Sequence, residues 1–110
     1  MTVVTKNNGV FIIEPDSRLD TNTSPEIEQK ITEAVESGET KVIFDFSNTD
    51  YISSAGLRVV LKTAKILKPK GGHVVLCNTN EQIDEVLEIS GFLMMVKCHD
   101  TLDKAIASFG

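Results

Sequence analysis

The chain has 110 residues, 41% of them hydrophobic and 25% charged, with a formal charge of −5. This is one domain of ordinary globular make-up, residues 1–110, with apolar side chains for a single core and no room for a second domain. The negative balance argues against nucleic acid or an anionic membrane surface as partner, and no apolar run approaches the roughly 20 residues that span a bilayer.

The opening "MTVVTKNNGV" has neither the basic flank and apolar stretch of a signal peptide nor an Arg-rich amphipathic pattern, so a cytoplasmic location is expected. "TVV" and "VFIIE" flank an Asn-Gly pair, the signal of an antiparallel hairpin. Pro15 and "DSRLDTNTS" then read as a loop. Thr23 or Ser24 can cap a first helix that tolerates Pro25 in its first turn, buries Ile27, Ile31, Ala34 and Val35, and stops at Gly38. "KVIFDF" is apolar on both faces, as a central strand covered on two sides must be.

After "SNTDYISS", the positions Leu57, Val60, Leu61, Ala64 and Leu67 mark a second helix, ended by Pro69 and Gly71-Gly72. "HVVLC" is the next strand. Thr79 or Asn80 caps a third helix with Ile83, Val86 and Leu87 inward, "LMMV" is a short strand, and Asp100 caps a last helix carrying Leu102, Ala105, Ile106 and Phe109. Strands alternating with helices from Lys41 onward predict parallel pairing, and the opening hairpin makes the sheet mixed. The fold class is therefore α/β, with a mixed sheet of four or five strands and about four packed helices.

Cys77 and Cys98 stand alone in apolar surroundings and read as small buried hydrophobes. His73 and His99 are separated and have no clustered ligand set, so neither a metal nor any other cofactor is expected. "KPKGGH" lacks the phosphate-loop spacing and precedes a strand rather than a helix.

Chemistry concentrates in "DYISSAGL", residues 50–57, where a strand gives way to a helix. Loops at the carboxyl ends of strands are the usual place for function in α/β sheets. A serine there is either an N-cap, which contributes about 1 kcal/mol, or a hydroxyl kept free for modification. Ala55 and Gly56 leave the hydroxyl uncrowded, and a glycine near a helix start signals close approach by another backbone or another protein. A hydrolytic nucleophile is the enzymatic alternative, but "ISSAG" is not the G-x-S-x-G elbow. Arg58, Lys62 and Lys65 form a basic stripe at helical spacing, either a solvated face or a surface for an acidic patch on a partner.

"DFSNTDYISSAGLRVVL" resembles the signature segment of STAS domains, in particular the stand-alone anti-sigma factor antagonists. "SRLDTNTSPEIEQKI" and "EISGFLMMV" are similar to two further segments of that family, in the same order. The resemblance implies a non-enzymatic phosphorylation switch. The unphosphorylated protein binds an anti-sigma factor that is often itself a serine protein kinase and so frees a sigma factor; a serine/threonine phosphatase restores binding after the kinase has acted. By position, Ser54 matches the phosphoacceptor, with Ser53 as a second hydroxyl where many members carry Asp. Asp20, with Thr21 beside it, matches the loop that faces the kinase, and Ser53, Gly56, Arg58 and Lys62 complete the implied partner surface of an expected monomer. The alternative is a STAS scaffold within a larger assembly, without a sigma-factor output.

Overall fold

Asn8 and Gly9 both take positive φ, 53° and 79°, in the computed structural model, which describes residues 2–94 and 96–109. That pair closes the expected hairpin between β1 (Val3–Asn7) and β2 (Val10–Glu14), because two residues with positive φ match the twist of the flanking strands. After β2 come β3 (Arg18–Leu19), α1 (Ser24–Glu36), β4 (Lys41–Asp45), β5 (Tyr51–Ile52) and α2 (Ser54–Leu67). The chain ends with β6 (His73–Cys77), α3 (Glu81–Ile89), β7 (Lys97–His99) and α4 (Leu102–Ala107).

The main sheet runs β1-β2-β4-β6-β7, antiparallel only at the hairpin, with β4 at its centre. Strand alternation divides its apolar side chains between two cores. Ile13, Val42, Phe44, Val74 and Leu76 face α1, α2 and α3, meeting Ile27, Ile31, Val60, Ile83 and Leu87. Ile12, Ile43, Val75 and Cys77 face the opposite way, onto Ala105 of α4 and the partly buried Leu102, Ile106 and Phe109. Phe44 is fully buried, and emptying such a position costs about 3–5 kcal/mol.

Four expectations change. The last strand is not "LMMV": Phe92–Met94 form a 3₁₀ turn that sinks Phe92 into the core, Met95 lies outside the described residues, and pairing with β6 falls on Lys97–His99. The inward face of α2 passes through Val59 and Thr63, the Thr63 hydroxyl donating to the Val59 carbonyl at 2.8 Å, whereas Leu57, Leu61 and Ala64 are only partly buried. Thr101, not Asp100, caps α4, its hydroxyl accepting from the Lys104 N–H at 3.2 Å. Cys77 is buried, its thiol pushed up to about 12 by burial and then by Asp45, but Cys98 is exposed because β7 is a short edge strand.

The carboxyl ends of β2 and β4 bring Glu14 beside Asp45. Asp45 is 2% exposed and accepts from the Ser47 N–H at 3.0 Å and the Asn78 amide at 2.9 Å. Burial pushes the Asp45 carboxyl up, but the bonds from Asn78 and Ser47 and the contact with Glu14 outweigh it and hold the group below the ordinary Asp value. Glu14 is raised, first by burial and then by Asp45. One carboxylate thus stays ionised while its neighbour keeps its proton to higher pH. Stability from a raised Glu14 is complete below its unfolded pKa and is lost as pH rises through the folded value. Glu14→Gln is therefore expected to raise the melting midpoint at pH 7 by about 2 °C and to leave it unchanged below about pH 4, where Glu14 is protonated folded and unfolded alike. Circular-dichroism melts across that range check this, and a gain that persists at the acid end contradicts it.

Candidate functional site

The segment read as a loop, "DSRLDTNTS", contains β3, which pairs in parallel with β5: Arg18 lies against Tyr51 and Leu19 against Ile52. Two-residue strands carry no periodicity, so the sequence alone does not reveal this sheet. It is held from both sides. The Asp50 N–H donates to the Ser17 carbonyl at 2.7 Å, and the Thr49 hydroxyl to the Pro15 carbonyl at 3.2 Å. On the far edge of β5 the Gln82 side chain replaces a neighbouring strand, accepting from the Ile52 N–H at 3.0 Å and donating to the Ile52 carbonyl at 3.2 Å. Asn80 caps α3 through the Ile83 N–H and donates its amide to the Asp50 carbonyl at 2.9 Å. Sequence reasoning missed Gln82, whose spacing says nothing of an edge 30 residues away.

The small sheet delivers the chain to the start of α2 with the Ser53 N–H donating to the Leu19 carbonyl at 2.9 Å. Ser53 has extended backbone and is the N-cap, its hydroxyl accepting a long 3.4 Å bond from the Gly56 N–H. Ser54 opens the helix, exposed, and its hydroxyl carries no hydrogen bond among the described residues. The two serines therefore divide the readings between them: Ser53 is the cap and Ser54 the free hydroxyl. Gly56 is buried, and a Cβ there would collide with the Leu19 carbonyl oxygen, lie 2.7 Å from Leu19 Cγ and touch Ile52. The close approach that Gly56 signals is thus from the chain's own Leu19, which Gly56 admits beneath the start of α2.

Asp20 follows Leu19 directly, so the ladder sets it next to Ser53. Its carboxylate accepts from the Asn22 N–H at 3.0 Å, the Thr23 N–H at 3.2 Å and Arg18 Nε at 3.2 Å. Burial pushes the Asp20 carboxyl up, and these bonds, the Arg18 contact foremost, bring it below the ordinary value. Asp20 therefore shapes the turn that enters α1, where neither expected cap operates. The Thr23 hydroxyl is turned back to the Arg18 carbonyl at 2.8 Å, and the buried Ser24 hydroxyl has no partner among the described residues. Thr21 is exposed on the same turn, and the Arg18 guanidinium lies 4.3 Å above the Tyr51 ring.

Arg58 is exposed one turn beyond Ser54 and has no ion pair among the described residues. Lys62 instead reaches Glu28 of α1 at 2.7 Å, a surface pair worth about 0–1 kcal/mol, and Lys65 lies toward the far end of α2. The basic stripe is thus divided among three surroundings. No histidine bonds either serine, and no group of three His, Cys, Asp or Glu side chains is placed to hold a metal, both among the described residues. Among those residues no helix is long and apolar enough to cross a membrane.

The STAS family model matches residues 1–105, and the chain belongs to that family. BtrV of Bordetella bronchiseptica, named as an anti-sigma factor antagonist, is 38% identical over 104 residues, 94% of this chain and 90% of BtrV. A Thermotoga maritima crystal structure, also named as an anti-sigma factor antagonist, superposes with a TM-score of 0.93 at 23% identity over 98% of this chain and 93% of that one. SpoIIAA of Bacillus in its phosphorylated form gives 0.80 at 22% identity over 100% of both chains. The architecture here is that of the anti-sigma factor antagonists.

The division between the serines predicts unequal costs in urea unfolding. Gly56→Ala loses about 1–3 kcal/mol through the collision with Leu19, Ser53→Ala up to about 1 kcal/mol, and Ser54→Ala stays within about 0.5 kcal/mol. Equal losses from the two serine variants contradict the assignment of the cap.

Proposed function

We propose that this chain is a phosphorylation-controlled binding module, an anti-sigma factor antagonist without catalytic activity that works in the cytoplasm as a monomer and needs no cofactor. When Ser54 is unmodified it sequesters an anti-sigma factor that is also a serine kinase, and a sigma factor is freed. The kinase phosphorylates Ser54 and the complex dissociates; a serine/threonine phosphatase resets it.

The observation that carries this reading is the free, exposed Ser54 hydroxyl beside a cap that does not need it. Phosphate adds about −1.5 to −2 charges at pH 7. At the first residue of α2 that charge meets the positive end of the helix dipole, so the protein that carries it tolerates it. At an interface the same charge meets desolvation and like-charge repulsion, and every 1.4 kcal/mol is about a tenfold loss of affinity. The match to phosphorylated SpoIIAA supports a fold that accommodates a phosphate, and BtrV supports the anti-sigma factor as partner. Asp20 and Thr21 on one side of Ser54, and Arg58 on the other, form the partner surface.

Incubation with ATP and a native cell extract, followed by peptide mass spectrometry, is expected to place phosphate on Ser54 and to lose it in Ser54→Ala. Phosphate on Ser53 alone overturns the residue, and phosphate on neither, in an extract that modifies other proteins, favours the scaffold alternative. Arg58→Glu is expected to weaken the partner complex by about tenfold or more while moving the melting midpoint by less than about 2 °C. Calorimetric titration with the captured partner and a thermal melt check the pair of values; loss of both together refutes a surface role.

A further inference from the structure

The end of α2 opposite Ser54 borders a cleft of about 600 Å³, formed between the α2 terminus, the start of β6, β7 and the segment after α4. That volume falls in the range of small-ligand sites. Its polar wall is cationic: Lys65, Lys68 and Lys97 line it with His73, and no Asp or Glu does among the described residues. None of the three lysines holds an ion pair among those residues. On a molecule of net charge −5 this gathering of unpaired cations is a local reversal of sign. The other wall is apolar. Val74, Val75 and Phe109 line it, and Met94 stands at its edge 93% exposed.

We propose that this cleft is a binding site for a single-chain anionic amphiphile, a molecule with a carboxylate or phosphate head and a short hydrocarbon tail. The head takes the lysines, for which nothing else in the described chain competes, and the tail covers Met94 and Phe109. A bare inorganic anion leaves the apolar wall wet, and a neutral alcohol leaves the lysines unpaired, so only the combination uses both surfaces. The site is distinct from the switch: its nearest lining residue on α2, Ala64, lies ten residues beyond Ser54, about 15 Å along the helix axis.

Calorimetric titration of the full chain with decanoate and with decyl phosphate, below their micelle concentrations, tests the proposal. Saturation at one molecule per chain by either supports it, and the tighter of the two tells whether a fatty acid or a phosphate monoester is the source. Decanol and inorganic phosphate are each expected to bind about tenfold more weakly or worse, and Lys68→Glu and Lys97→Glu to weaken the amphiphile by about tenfold. Both lysines are exposed, so the variants should fold, and unchanged melting midpoints confirm it. Absence of saturation overturns the proposal, as does indifference to both lysine variants, equal binding of phosphate alone or decanol alone, or saturation by an acidic peptide but by neither amphiphile. Ser54 phosphorylation is unaffected by any of these outcomes, so the two readings fail separately.

Discussion

The contact between the Leu19 backbone and the first turn of α2 is the constraint on which the site depends. One carbonyl oxygen accepts from the Ser53 N–H at 2.9 Å and also occupies the space where a side chain at residue 56 would begin. A glycine in a helix costs about 1 kcal/mol against alanine, and here it lets two backbones approach. With that approach made, Ser53 reaches the capping position, Ser54 turns outward, and Asp20 comes to the same rim. The loop that supplies Leu19 is anchored in turn by β5, by the buried Thr49 hydroxyl and by Gln82 of α3. The proposed switch would require a stiff mount: charge added to a mobile loop could be accommodated at an interface by moving away, whereas charge added to a fixed helix start cannot.

Most of the main sheet was legible because its signals are local or periodic. Asn8-Gly9 announces its hairpin, and "KVIFDF" announces a strand covered on both faces. Ile27, Ile31 and Val35 mark one helical face. The serine pair was also legible as a place, since a helix start after a central strand is where α/β domains carry function. Which serine does what was not, because both residue types suit both positions, and only the backbone at Ser53 and the bond from Gly56 separate them. The family resemblance selected Ser54 on position; the hydrogen-bond geometry shows the Ser53 hydroxyl engaged as the cap.

What the sequence concealed depends on contacts between distant residues. β3 and β5 have two residues each and exist only through one another. Gln82 satisfies both backbone groups of Ile52, and nothing in its neighbourhood marks it for that task. Asp20 appeared as an acidic residue awaiting a partner, yet its carboxylate already serves two backbone N–H groups and Arg18, so a partner that engages it meets a fixed charge. Near the end of the chain the apolar "LMMV" was a better strand than "KCH" by composition, but parallel pairing with β6 decides otherwise and leaves Cys98 on an edge. Local propensity gives way to pairing there, as it commonly does in short edge strands.

The central claim is that a phosphate is added to Ser54 without disturbing the cap and backbone contact beneath it. A crystal structure of the stoichiometrically phosphorylated protein tests this most directly. The account predicts phosphate on Ser54 at the protein surface, the Ser53 hydroxyl still accepting from the Gly56 N–H, and the Leu19 carbonyl still bound to the Ser53 N–H. Phosphate on Ser53, or a phosphate that draws in the first helical N–H groups while Ser53 swings away and Leu19 separates from Gly56, would contradict it.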